Sequence, residues 1–381
     1  MKCVKRTVYE TAVSTTPMKI AIACGGTGGH LFPGLAVAEE LRQRGHATLL
    51  LVSPKQIDTI ALEGAKEQQS RALPGIGWPG FLSPRVFKFA LSLLRSWREC
   101  GEVYREFQPT AVVGMGGFTS AIPLLLGRRL QLPTLIHESN AIPGRVTKLI
   151  APWVNKTMLG FEGCANYLHQ AHCVVTGTPV RRGLARIDRA VAAEKFGLNP
   201  ALPIVLIMGG SQGAHGINQL VMKTLPMWHG NREEVQFIHL AGQADANIAE
   251  INYRRQRLTA VVQAFSTQME HFYSLADVVI SRSGAASLTE LSHYGLPSVL
   301  VPYPAAADDH QTFNARIFEQ AGAARILVES KTTPEMLQQV VLEILNNAPM
   351  RKQMAEAARS LAGVDAAKRV AEEIEASCNR K

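Results

Sequence analysis

"IACGGTGGHLFPG", residues Ile22 to Gly34, joins an apolar run to five glycines, a histidine and a proline. An apolar run that stops at Gly-Gly reads as a buried strand, a tight turn and a following helix. Such a turn brings backbone N–H groups close to an anion at the positive end of the helix. His30 stands where that helix starts. It is either a cap or a base placed beside the chemistry. The pattern returns in "LPIVLIMGGSQGAHGINQLV", Leu202 to Val221. Two such openings in one chain point to two related halves.

Working outward, buried strands are expected at "MKIAIAC", "ATLLLVS", "AVVGMGG", "PTLIHES" and "CVVTGTP" in the first half. "VQFIHLAG", "TAVVQAF", "DVVISRSG" and "PSVLVPYP" follow in the second. Helices are expected at "GLAVAEELRQRG", from Val86 to Phe107, and at "HFYSLA", "SLTELSHYG" and "DHQTFNARIFEQAG". Continuous apolar strands alternating with helices give parallel sheets covered on both faces. The fold class is therefore α/β, with two Rossmann-like doubly wound domains facing across a cleft. The expected limits are a loose extension over 1–17, a first domain over 18–180 and a second over 181–364. A last helix, about 365–381, is expected to pack back on the first domain.

The 381 residues suffice for two cores, and 46% hydrophobic with 19% charged residues is ordinary globular composition. No apolar run is long enough to span a membrane, and the polar N-terminus lacks a signal-peptide core. Six scattered cysteines without a CxxC pair suit reduced thiols. The net charge of +9 suits an anionic lipid or substrate. Nucleic acid is disfavoured, because no basic-aromatic motif or finger is present.

The glycine turns do not fit a nicotinamide site. "GGTGGH" is not GxGxxG, and the second strand ends "LLLVSPKQ" without the acid that would hold a ribose. No GxxxxGK[ST] occurs. In "GGSQGA", Ser211 can donate to a phosphate oxygen, or simply cap the helix. In "SRSGAASLTEL", Ser283 and Gly284 start a helix that carries Glu290 in its second turn. A carboxylate there can accept two vicinal hydroxyls or merely face solvent. In "DDHQTFNA", Gln311 offers a donor and an acceptor for sugar hydroxyls. Asp308 and Asp309 read as helix caps rather than a metal bridge, so no essential metal or cofactor is expected.

"GGTGGHLFPG", "GMGGFTS", "HESNAIPG", "GTPVR", "GGSQGA", "SRSGAASLTEL" and "DDHQTFNA" occur in that order. Together they resemble the MurG family of UDP-N-acetylglucosamine:lipid-linked N-acetylmuramyl-pentapeptide N-acetylglucosaminyltransferases, from about Met18 onward. The resemblance implies a GT-B fold and an inverting transfer that converts lipid I to lipid II. It implies that Ser211 and Arg181 meet the UDP-GlcNAc diphosphate, and that uracil is read near Phe265 and Ser266. It implies that Gly284, Ala285, Ala286, Ser287, Leu288 and Thr289 line the nucleotide sugar, with Glu290 on the ribose. Gln311 and His310 would read the N-acetylglucosamine. Thr27, Gly28, Gly29 and Asn140 would meet the donor sugar from the first domain. Phe118 stands where some relatives carry Tyr, Ser139 where Gln is frequent, and Ser266 where an apolar residue is usual. Lipid I, UDP-GlcNAc and cell-wall synthesis proteins are the implied partners. The implied place is the cytoplasmic face of the bacterial inner membrane, held peripherally.

An inverting transfer needs a base, and a neutral histidine at a helix N-terminus suits it, because the helix dipole disfavours the imidazolium. His30 is that expected base; capping or acceptor binding is the alternative. "WPGFLSPRVFKFALSLLRSWRE" offers Phe81, Leu82, Phe87, Leu93 and Trp97 beside Arg85, Lys88, Arg95 and Arg98. Apolar residues ringed by cations suit an anionic membrane surface, or else a core helix with a basic edge. The rival functions are another GT-B transferase with a lipid acceptor, a non-hydrolysing sugar-nucleotide epimerase, a dehydrogenase and a non-catalytic UDP-binding module.

Overall fold

The structure, a computed structural model, describes residues 16–54, 68–74, 86–210, 213–231, 235–363 and 365–379, with backbone alone at 86–90, 229–231 and 307. The chain divides into two compact units, residues 1–181 with 363–381, and residues 182–362.

The first unit is built on one parallel sheet. Its strands are β1 (Lys19–Ala23), β2 (Ala47–Val52), β3 (Ser70–Ala72), β4 (Ala111–Gly114), β5 (Thr134–Glu138), β6 (Lys156–Leu159) and β7 (Cys173–Val175). They lie in the order β3-β2-β1-β4-β5-β6-β7. Ile22 of β1 is in register with Leu50 of β2 and Val113 of β4. Side chains alternate across a strand, so β1 feeds two cores. Ile20, Ile22 and Cys24 pack with Leu31, Leu35 and Leu41, while Ala21 and Ala23 pack with Leu49, Tyr104 and Leu124. Helices α1 (Gly28–Gln43), α2 (Val86–Phe107), α3 (Phe118–Arg129) and α4 (Arg145–Ile150) make the crossovers.

Helix α1 begins at Gly28, earlier than the expected "GLAVAEELRQRG". Its extended N-cap Thr27 presents a carbonyl that accepts from His30 N and Leu31 N, each at 3.1 Å. Pro33 therefore lies inside the helix. The carbonyl its missing N–H would have met belongs to Gly29, which is exposed and can be solvated.

The second unit repeats the plan with β8 (Ile204–Met208), β9 (Gln236–Leu240), β10 (Ala260–Gln263), β11 (Val278–Ser281), β12 (Ser298–Leu300) and β13 (Ala324–Ile326). Their order is β10-β9-β8-β11-β12-β13, again all parallel. Helices α5 (Arg189–Phe196), α6 (His215–Thr224), α7 (Ala246–Arg255), α8 (Met269–Leu275), α9 (Ala285–Tyr294), α10 (His310–Gln320), α11 (Pro334–Asn346) and α12 (Ala348–Ser360) complete it. Val205, Ile207, Phe237, Val278 and Ile280 share one core with Leu337 and Val341 of α11.

The last helix, α13 (Ala366–Cys378), returns to the first unit. Val370, Ala371 and Ile374 are fully buried in the core formed by Ile20, Ile22 and Leu31. Beside them the buried Glu375 carboxylate accepts from His46 Nε2 and Arg44 Nη1, each at 3.0 Å. Lys156 of β6 pairs with Glu373.

Candidate active site

In an open parallel sheet, ligands bind beyond the carboxyl ends of strands, where the strand order reverses. Those points lie between β1 and β4 and between β8 and β11. Both glycine turns sit there.

At the first point, the turn after β1 carries Thr27, Gly28, Gly29 and His30. Thr27 Oγ1 lies 3.1 Å from His30 Nδ1. With the ring proton on Nδ1, the threonine hydroxyl accepts it and Nε2 carries the basic lone pair. The imidazole rests on the turn after β4. A Cβ at Gly116 would come within 3.2 Å of Nε2, and one at Gly117 within 3.0 Å of Nδ1. Both glycines have positive φ, so the backbone and the ring exclude a side chain there. The start of α3 locks the two turns together. Thr119 Oγ1 donates to Gly25 O at 2.8 Å, and Ser120 Oγ lies 3.1 Å from Ala23 O and 2.6 Å from Gly116 O.

Asn140 follows β5 and is held by its neighbour. The buried Glu138 carboxylate accepts from Asn140 N and Nδ2 at 3.0 Å, Gly144 N at 3.0 Å and Thr147 Oγ1 at 2.7 Å. His137, fully buried, donates from Nε2 to Gly177 O at 2.9 Å, and the Ser139 hydroxyl meets its Nδ1 at 3.3 Å. Burial holds this imidazole below its ordinary value, and nearby His30 adds to that. The Gly177 carbonyl and Glu138 pull the other way. Arg181 lies 4.3 Å over the Phe32 ring, and its buried Nε has no hydrogen-bond partner among the described residues. A guanidinium held this way is ready for an anion.

In the second unit, Ser211 lies outside the described residues. Gly213, next in the turn, has φ +77, and a Cβ there would stand 2.4 Å from Ala241 O. Beneath this turn runs a buried hydrogen-bond chain. Tyr253 OH lies 3.3 Å from His239 Nδ1, His239 Nε2 lies 3.0 Å from Asn218 Oδ1, and the Asn218 amide donates to Asp245 Oδ2 at 2.7 Å. Burial pushes His239 down from 6.5 to about 4, with Asp245 offsetting part of the effect. The unfolded imidazole binds its proton first. Stability is therefore complete above about pH 6.5 and lost as pH falls toward 4. At about 1.4 kcal/mol per pKa unit this amounts to roughly 3 kcal/mol. Urea unfolding of the second unit from neutral to acid pH should show that slope. His239→Gln should flatten it, and an unchanged slope would refute the assignment.

Gly284 is the extended N-cap of α9, so Glu290 lies in the second turn of that helix. Tyr273 OH donates to Glu290 Oε2 at 2.6 Å. Ala286, Ser287 and Thr289 are partly exposed, whereas the Leu288 side chain is fully buried and Ala285 nearly so. Leu288 therefore packs the core rather than lining a ligand with its side chain, as its position between Ala285 and Leu291 on the helix dictates. Ser283 Oγ donates to Gln311 O at 2.8 Å, which joins the turn after β11 to α10. Gln311 Oε1 already accepts from Tyr303 N at 2.9 Å. Its Nε2 donors and the second lone pair of Oε1 leave it both a donor and an acceptor. Asp309 does not cap α10. It sits in the left-handed region without a cap bond and accepts from Thr312 Oγ1 at 2.6 Å. His310 is the first residue of α10. Ser266 follows β10 on the outer edge, where its hydroxyl accepts from Gln268 N at 3.1 Å.

The basic apolar stretch divides. Phe81, Leu82 and Arg85 lie outside the described residues; Phe87 and Lys88 are on α2 with backbone alone described. Trp97 is half-buried. With Cys100 and Tyr104 at helical spacing it turns inward and packs on the core of the first unit. The opposite face exposes Leu91 (67%) and Leu94 (69%), beside Arg95 and Arg98, which pair with Glu99 and Glu102. Leu91 and Leu94 were not singled out from the sequence, although their spacing from Arg95 and Arg98 placed them on one face. Glu138 and Tyr273 were also missed as site residues; each lay within a motif or helix already recognised.

The N-terminal domain of glycosyltransferase family 28 matches residues 20–159, and the C-terminal domain of that family matches residues 204–371. The chain is thus a family 28 glycosyltransferase with two parallel-sheet units. It is 36% identical over 364 residues to the UDP-N-acetylglucosamine–N-acetylmuramyl-(pentapeptide) pyrophosphoryl-undecaprenol N-acetylglucosamine transferase of Trichormus variabilis, covering 93% of this chain and 96% of that one. It is 33% identical to the enzyme of the same name from Geobacter sulfurreducens, over 96% and 100% of the two chains. The crystal structure of Acinetobacter baumannii MurG superposes with a TM-score of 0.72 at 28% identity, covering 95% of this chain and all of that one. The chain belongs to the family of these N-acetylglucosamine transferases.

Proposed function

We propose that the chain transfers N-acetylglucosamine from UDP-GlcNAc to the 4-hydroxyl of the N-acetylmuramic acid in undecaprenyl-pyrophosphoryl-MurNAc-pentapeptide (lipid I), with inversion, giving lipid II and UDP. The observation that carries this reading is the His30 imidazole, seated on Gly116 and Gly117 and held by Thr27 at the crest of the first sheet. His30 takes the proton of the acceptor hydroxyl. The freed oxygen bonds to the anomeric carbon, and the bond from that carbon to the diphosphate breaks, with its electron pair leaving on UDP. Arg181, Ser211 and the amides of the second glycine turn meet the charge that develops there. Glu290 holds the ribose, and Ser266 lies by the uracil. Gln311 and His310 of the second unit, and Asn140, Thr27, Gly28 and Gly29 of the first, read the sugar.

The test is incubation with UDP-GlcNAc and lipid I, with UDP and lipid II as products. Other UDP-sugars run in parallel should fail. Turnover on a different lipid acceptor, with none on lipid I, would favour the related transferase instead.

The acceptor is lipid-linked, and no described helix is long and apolar enough to cross a membrane. Peripheral attachment at the cytoplasmic face of the inner membrane follows as part of the proposal, through the exposed Leu91 and Leu94 and the cations near them. A cation close to an anionic surface contributes about 1 kcal/mol. Reversing Arg95 and Arg98 should therefore weaken binding to anionic vesicles roughly tenfold or more, and Leu91→Ser with Leu94→Ser should weaken it further. Vesicle binding that ignores anionic lipid content and survives the charge reversal would refute this attachment.

A further inference from the structure

Glu290 does not set its own direction. Tyr273 of α8 is 2% exposed, and its hydroxyl lies 2.6 Å from Glu290 Oε2 and 3.7 Å from the Met208 sulfur. A phenol has one proton to give. The carboxylate takes it in a short charge-assisted bond, since a thioether is a weak acceptor. The phenol ring is fixed in turn, 5.1 Å from the buried ring of Tyr294. One hydroxyl thus touches two elements of the donor site. Met208 ends β8, directly before the second glycine turn, and Glu290 lies on α9.

We propose that Tyr273 is a positioning residue for ribose recognition: it aims the Glu290 carboxylate at the vicinal hydroxyls of a ribonucleoside diphosphate and so sets the preference for ribose over deoxyribose. The inference rests on the assignment of Glu290 to the ribose and adds the residue that orients it. A glutamate without such a partner samples several rotamers and must be ordered when the ligand arrives. The buried phenol orders it beforehand, and preorganisation of this kind appears as affinity and selectivity. The Met208 contact ties that order to the strand end that leads into the diphosphate turn.

The experiment titrates UDP and 2′-deoxy-UDP into the parent protein, Tyr273→Phe, Glu290→Gln and the double variant. Loss of one bond to a charged acceptor should narrow the preference for UDP roughly tenfold in Tyr273→Phe. Glu290→Gln should narrow it as well, and the double variant should add nothing more, because both residues act through one carboxylate. In turnover, Tyr273→Phe should raise KM for UDP-GlcNAc more than it lowers kcat. A ratio of affinities is read on folded protein, so loss of folded material does not imitate the result. If Glu290→Gln narrows the preference and Tyr273→Phe leaves it intact, Tyr273 only packs and the proposal falls. If Glu290→Gln leaves the preference intact, the ribose assignment falls and takes the proposal with it.

Discussion

His30→Ala lowers kcat by about 10²–10⁴-fold at saturating lipid I and UDP-GlcNAc, the range that a positioned general base supplies. His30→Gln falls as far. It keeps a polar side chain at the helix start, where a capping role would be partly preserved, but it cannot take a proton. The geometry fixes the ring in place. Thr27 fixes one ring nitrogen, and two glycines with positive φ support the ring face. A loss below tenfold at saturating acceptor would end the general-base assignment and leave His30 as a cap or an acceptor contact.

Glu138→Ala is expected to destabilise the first unit by on the order of 4 kcal/mol and to raise KM for UDP-GlcNAc at least tenfold, since several donors lose a charged acceptor at once. Four hydrogen bonds converge on this carboxylate from Asn140, Gly144 and Thr147. They shape the whole turn between β5 and α4. Two of them hold Asn140, through its backbone N–H and its side-chain amide. Glu138→Gln keeps the volume but turns an NH₂ group toward donors, so it should lose roughly half as much. Urea unfolding and donor KM measure the two effects separately. A Glu138→Ala protein less than about 1 kcal/mol weaker than the parent would show that water replaces the carboxylate.

The two glycine turns, the parallel strands and the span of α2 were legible because each rests on a local signal. Apolar runs closed by glycines identify buried parallel strands whatever their partners. The short strands β3, β6 and β13 were not read, and β6 shows why. "KTML" opens with a lysine, and Lys156 is buried only because Glu373 reaches it from the far end of the chain. The start of α1 was read at His30 and its body only from Gly34, although the helix runs from Gly28 through Pro33. The exposed Gly29 carbonyl tolerates the missing bond. Trp97 was placed in the basic apolar patch, and Leu288 was set on the nucleotide sugar by the resemblance, whereas helical spacing from Cys100, Tyr104 and Leu291 turns both side chains toward the core. The motifs named the candidate residues, but the bonds among them were not visible. Nothing local in "HFYSLA" says that its tyrosine meets Glu290, seventeen residues on.

The return of α13 to the first unit has a consequence for synthesis. Residues 182–362 form a complete unit once they have been made, but the first sheet receives Val370, Ala371 and Ile374 only after all of them. Until then one face of β1, with Ile20 and Ile22, lacks its cover. The half that leaves the ribosome first is the last to close, and truncation ahead of Ala366 would uncover the sheet that carries His30.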